Sequence, residues 1–221
     1  MRPRAGGRRT RGTAGLAGTA AIALLRALLL WPPLRTAIES RMALHMLLEF
    51  PVLVAAGACA CALWRRRMRA RRLRRVLAGL DWRGLASATL ANCVALAWMV
   101  PAALDAALIH GEVAALKTAS WWLVGWTLAD GWRRLDGEAL LFFTGNLGWM
   151  TGNAGLLYVE APERLCVSYL QADQAQAGIG LVVAACVVGA LGLHGALRSD
   201  ASPTRPAGRS RPAPSGRRPA T

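Results

Sequence analysis

The stretch MALHMLLEFPVLVAAGACACALW, residues 42–64, runs directly into RRRMRARRLRR, residues 65–75. The first part is apolar over the roughly 20 residues that a helix needs to cross a hydrocarbon layer. The second is a wall of arginine, the kind of segment that stays on the cytoplasmic side of a membrane. The junction predicts a transmembrane helix whose C-terminal end lies inside, and it orients everything on either side of it.

Working outward, six stretches approach spanning length: about 15–33, 42–64, 84–104, 113–130, 139–159 and 178–197. Arg26 interrupts the first and Lys117 the fourth. With the N-terminus inside, the inner segments hold 22 of the 27 basic residues, in clusters at residues 2–11, 65–83, 133–134 and 198–218. The outer loops hold only Arg35, Arg41 and Arg164. Dropping any one span would flip every later loop and put basic clusters on both sides, so the same tally supports the number of spans. Trp31 and Tyr158 fall at outer ends and Trp64, Trp82 and Trp132 at inner ends, as headgroup-level aromatics do.

Composition agrees. Of 221 residues 54% are hydrophobic, more than one soluble core of this size requires. The net charge of +15 sits in short blocks between apolar runs, which favours membrane orientation over nucleic-acid binding. The expectation is an all-α integral membrane bundle with both termini in the cytoplasm. It has a basic N-terminus at 1–14, a transmembrane domain at 15–197 and a Pro/Ser/Arg/Ala-rich tail at 198–221 that cannot bury a core. The lipid bilayer is the implied partner, and a bacterial inner membrane the implied location. A removable signal at the N-terminus is disfavoured by Arg26 within the apolar run and by the lack of a small-x-small cleavage site.

Cys59, Cys61, Cys93 and Cys186 lie in apolar stretches, where cysteine acts as a small hydrophobe. Cys166 lies in the outer loop after the fifth span and is open to three readings: a ligand, an intermolecular thiol or neither. There is no glycine-rich phosphate loop, no zinc-protease motif and no nucleophile with a base, so the chain reads as non-enzymatic.

Met42, His45, Met46 and Glu49 are spaced i, i+3, i+4, i+7, which places them on one helical stripe. Thioether and imidazole suit Cu(I), making Met42, His45 and Met46 candidate copper ligands. Methionine as core filler and a hydrogen-bonded histidine account for the same residues. Arg26 and Glu49 share a depth near 10 Å below the outer surface, which makes them natural partners. Asp105 and Lys117 also lie in the outer halves of their spans. Such charges mark either a cavity open to the outer side or helix-pairing salt bridges. In the fifth span Gly145, Gly148, Gly152 and Gly155 form a small-residue stripe that reads as a packing face.

The run Arg41 to Glu49, with its Met-x-x-His-Met pattern and Pro51 following, resembles a motif of the caa-type cytochrome c oxidase assembly factors, a polytopic membrane family. The Asp105 segment and Lys117 are loosely similar too. Where that family commonly has a second histidine four residues after the first, this chain has Glu49. The resemblance implies a role in maturing a copper-containing terminal oxidase, with oxidase subunits as partners. The competing expectations are a small-solute transporter using Arg26, Asp105 and Lys117, and a structural subunit of a membrane complex.

Overall fold

The computed structural model describes residues 31–67, 79 and 81–200, and among these every regular element is a helix, with no strand. The expected first span at 15–33, with Arg26, lies outside the described residues apart from 31–33, as do the N-terminal segment and the tail beyond Asp200.

Helix α1 (Pro32–Glu39) starts on a proline, whose missing N–H costs nothing in a first turn. After Ser40 and Arg41 comes α2 (Met42–Leu44), a π-helical turn (His45–Glu49), and α3 (Phe50–Arg67). The wide turn has a local cause: Pro51 cannot donate to a preceding carbonyl, and its ring would strike the carbonyl of Leu47 in a regular helix. Widening the turn before it moves that carbonyl away. A 3-10 turn, Trp82–Gly84, leads into α4 (Leu85–Met99), then α5 (Pro101–Ile109), α6 (Gly111–Gly131), α7 (Gly137–Glu160) and α8 (Gln171–Asp200).

Among the described residues two helices are long and apolar enough to cross a membrane, Met42–Arg65 and Gln171–Ser199. The continuous span expected over 84–104 is instead a broken pair, Trp82–Met99 and Pro101–Ile109, bent by 77°. Pro101 forces Val100 out of the helical region, to φ −75° and ψ 124°. The break is anchored, because the Tyr158 hydroxyl donates to the freed Met99 carbonyl at 2.9 Å.

Helices α3 and α6 approach closely through reciprocal glycines. An added Cβ at Gly57 would overlap the Trp122 carbonyl, and one at Gly125 would overlap the Val54 carbonyl. Helices α7 and α8 pack antiparallel along most of their length. Gly155 lies against Gly178, Gly148 against Ala185, and Thr144 against Gly192, so rising numbers on one helix meet falling numbers on the other. Of the expected stripe, Gly148, Gly152 and Gly155 face α8, whereas a Cβ at Gly145 would meet nothing within 4 Å. At the level of Gly145 the contact with α8 passes through its neighbour Thr144, which lies against Gly192, so Gly145 itself faces away.

The buried apolar core gathers Met42, Met46, Phe50, Leu53, Trp98 and Trp121 with Tyr158 and Tyr169. Outward-facing Phe142, Trp149, Val183 and Leu191 are each more than half exposed, an apolar exterior suited to lipid rather than water.

Candidate functional site: a buried ionic cluster

One end of the bundle holds a cluster of ionisable groups drawn from four elements. Arg35 and Glu39 come from α1, His45 and Glu49 from the π-helical turn, Lys117 from α6 and Tyr169 from the loop before α8. Lys117 and His45 are both 0% exposed.

Lys117 is the hub. Its Nζ lies 2.9 Å from Glu49 Oε1, 3.1 Å from Glu39 Oε1 and 2.8 Å from His45 Nε2. An ammonium has three N–H donors and no acceptor, so each of its donors has one acceptor here. His45 Nε2 must therefore present its lone pair, which puts the proton of a neutral imidazole on Nδ1. That nitrogen lies 2.6 Å from the Tyr169 hydroxyl and donates to it. Burial, followed by the nearby Glu39 carboxylate, pushes the Tyr169 hydroxyl well above the usual tyrosine range, so it stays protonated.

Glu39 Oε1 also accepts from Arg35 Nε at 3.0 Å, so two cations share one oxygen. Arg35 and Lys117 against Glu39 and Glu49, with a neutral imidazole, sum to zero charge. One atom is left over: Glu49 Oε2 is buried without a hydrogen-bond partner. It lies 3.4 Å from His45 Nε2, but with a lone pair on that nitrogen this is an approach of two acceptors and not an ion pair.

The loop carrying Tyr169 is pinned by Asp105, whose carboxylate accepts the backbone N–H of Val167 at 2.9 Å and of Ser168 at 3.2 Å. Asp105 therefore does not pair with Lys117 as its sequence position suggested; backbone donors on the other side of the broken span claim it. Gln174 fixes the same loop, accepting from Leu165 N–H and donating to the Tyr158 carbonyl. Cys166 in this loop is buried, and burial, helped by Asp105, pushes its thiol up to about 12, which makes it an inert core residue.

Of the residues expected to matter, the structure brings together His45, Glu49 and Lys117, places Asp105 one step away, and puts Met42 and Met46 in the apolar core. Arg26, the expected partner of Glu49, lies outside the described residues, and Lys117 takes that place. Glu39, Arg35 and Tyr169 were not anticipated. The pair Arg35–Glu39 had a signal in its i, i+4 spacing within a segment assigned to a loop. Tyr169 had none, because only the fold carries it to His45.

Glu39, His45 and Glu49 offer ligand atoms all within 4.8 Å of one another, a spacing that could hold a metal ion. The Lys117 ammonium sits among those atoms and engages all three residues. Copper at Met42, His45 and Met46 fits this arrangement poorly, since ligation by His45 needs a ring lone pair and the available one points at Lys117.

No family model, no curated protein and no solved structure matches the chain. What the fold and the site define is an all-helical protein with membrane-length apolar helices and a charge-balanced ionic cluster buried at one end.

Proposed function

We propose that the protein is a six-span membrane protein with both termini in the cytoplasm, residing in a bacterial inner membrane. In this reading it assists assembly of a copper-containing cytochrome c oxidase without catalysing a reaction, and the His45 cluster at the outer face is its working site. The observation that carries the reading is the π-helical turn at His45–Glu49, which holds a fully buried histidine between Lys117 and Tyr169. Such turns concentrate at functional sites, and intramembrane charges are costly enough to suggest a task. The resemblance of the same run to oxidase assembly factors points to which task. Copper enters through the enzyme being matured; direct binding by Met42, His45 and Met46 would require Lys117 to withdraw from Nε2.

The test is a deletion strain complemented with wild-type protein, with His45→Ala and with Gly145→Ala as a matched control. Oxidase activity and copper content would be measured at limiting and replete copper, with immunoblots of the membrane fraction. The expected result is loss of oxidase activity in the deletion and His45→Ala strains at equal protein level. Full activity in the deletion strain at limiting copper would end this reading.

A second reading, a structural subunit, is favoured by the charge balance of the cluster, since a neutral network suffices to lock four elements together. It predicts that His45→Ala lowers protein level and oxidase activity in proportion. The transporter reading gains less support: Lys117 is fully buried with its donors engaged, and Asp105 is engaged by backbone, so neither is presented to a solute.

A further inference from the structure

The opposite end of the bundle carries a second polar constellation that the oxidase reading does not use. A cavity of about 250 Å³ lies between the C-terminal ends of α3 and α6 and the N-terminal part of α4. Its walls are mainly apolar, with Cys61, Ala86, Leu90 and Trp126 among them, and Arg65 and Arg134 stand at its polar side. The Asp130 carboxylate bridges them, 2.7 Å from Arg65 Nη1 and in contact with Arg134 Nη2. Asp81 also lines the cavity: its carboxylate accepts from the backbone N–H and hydroxyl of Ser87, and its carbonyl accepts from Arg134 Nη1 at 3.3 Å.

The arrangement is amphipathic in the sense a phospholipid is. Trp64 and Trp126 stand side by side, ring centroids 5.5 Å apart, and tryptophan is the residue favoured at a headgroup boundary. The cavity volume is about eight times the volume of a water molecule, room for part of an acyl chain rather than for a folded polar metabolite. A guanidinium has five N–H donors in a planar fork, and Arg65 commits Nη1 to Asp130, leaving further donors for phosphate oxygens. Arg65 also begins the run Arg65-Arg66-Arg67, continued in sequence by Arg69, Arg71, Arg72, Arg74 and Arg75. A positive field of that density at the inner surface attracts anionic lipid before any specific contact forms.

We infer that this cavity is a binding site for one anionic phospholipid of the inner leaflet, its phosphate held by Arg65 and Arg134 and the start of an acyl chain lodged against Leu90 and Trp126. The inference uses the inside orientation of this end and stands apart from the oxidase reading, so either can fail without the other.

The experiment uses the full chain in maltoside micelles. Native mass spectra and thermal midpoints are recorded with added phosphatidylglycerol, phosphatidylcholine or inorganic phosphate. The expected result is one retained phosphatidylglycerol, preferred over phosphatidylcholine by about tenfold, the scale of one charge-assisted contact, together with a raised thermal midpoint. Ala86→Phe fills the cavity and leaves both arginines, so it abolishes the retained adduct. Arg65→Gln keeps the cavity and brings the two lipids close to equal. Retention of phosphatidylglycerol by Ala86→Phe would assign the binding to the arginine run and overturn the site. Equal retention of phosphatidylcholine by the wild type, or equal stabilisation by inorganic phosphate, would overturn it as well.

Discussion

Lys117→Met is the most informative single perturbation of the cluster. Methionine has nearly the reach of the lysine stem and is flexible, so packing of the buried stem is largely kept and the change is chiefly one of charge. What is lost is the ammonium that touches Glu39, Glu49 and His45 at 2.8–3.1 Å. Arg35 still offsets Glu39, but Glu49 becomes a buried carboxylate with neither of its oxygens paired to a donor. Removing one partner of a buried ion pair costs about 3–5 kcal/mol, mostly as the penalty of the charge left behind. The expected loss is in that range.

The diagnostic comparison is the double variant Lys117→Met, Glu49→Gln. It removes the stranded charge, and the amide supplies donors of its own, so most of the loss returns. The interaction energy from the four-member cycle then exceeds about 2 kcal/mol, well outside the few tenths seen for independent sites. Reversible unfolding in mixed micelles of detergent and dodecyl sulfate, followed by circular dichroism, gives the four free energies. A Lys117→Met protein within about 0.5 kcal/mol of the wild type would place the lysine at an exposed site and refute the cluster. Strict additivity of the two changes would refute the direct Lys117–Glu49 contact.

Three further outcomes follow from the packing and the loop. Gly57→Val or Gly125→Val drives a side chain into backbone carbonyl of the facing helix and strongly destabilises the α3–α6 pair, whereas Gly145→Val is tolerated; unfolding midpoints of the three variants check this, and an equal effect at Gly145 would contradict the geometry. Asp105→Ala removes two backbone contacts of the Tyr169 loop, an expected loss of about 1–3 kcal/mol, and hydrogen exchange at Val167 and Ser168 should rise while exchange within α6 does not. Cys166, with its thiol raised from 9.0 to about 12, stays almost wholly protonated at pH 8 and unreactive to maleimide in the folded protein. Because the folded state keeps a proton that the unfolded chain releases, the stability it contributes is intact below pH 9 and is lost as pH rises through about 12; rapid labelling at pH 8 under native conditions would show the loop to be open.

Helix positions over 42–64, 113–130 and 139–159 were legible because long apolar runs bounded by arginine and tryptophan have few alternatives. The observed helices Phe50–Arg67, Gly111–Gly131 and Gly137–Glu160 lie on those runs. The break at Val100 was signalled by Pro101, but apolar residues continue on both sides of it, and hydropathy is blind to direction. His45, Glu49 and Lys117 stood out individually because each is a polar residue in an apolar run. Their convergence did not, since periodicity relates residues of one helix and says nothing of which neighbour a helix faces. The reciprocal approach of Gly57 and Gly125 was hidden for the same reason: each is a lone glycine with no partner four residues away.

The π-helical turn and the unpartnered Glu49 oxygen belong to one argument about what the cluster is for. If the network existed only to join helices, a second donor to Glu49 Oε2 would be the simplest improvement. Instead Pro51 widens the turn, His45 and Glu49 converge on the ammonium of Lys117, and one carboxylate oxygen remains uncommitted 3.4 Å from a ring nitrogen whose lone pair is already in use. A proton on Glu49 Oε2 or on His45 Nε2 would make that approach a hydrogen bond only once Lys117 withdraws from Nε2, because the ring nitrogen offers one lone pair or one N–H and the ammonium only donates. A working site would use that second arrangement, one proton and one displaced ammonium away, whereas a purely structural lock would not. Fourier-transform infrared titration of the wild type against Glu49→Gln decides between them. A carboxyl band that Glu49→Gln removes, changing together with an imidazole band, supports a working site, and no such coupled change supports the lock.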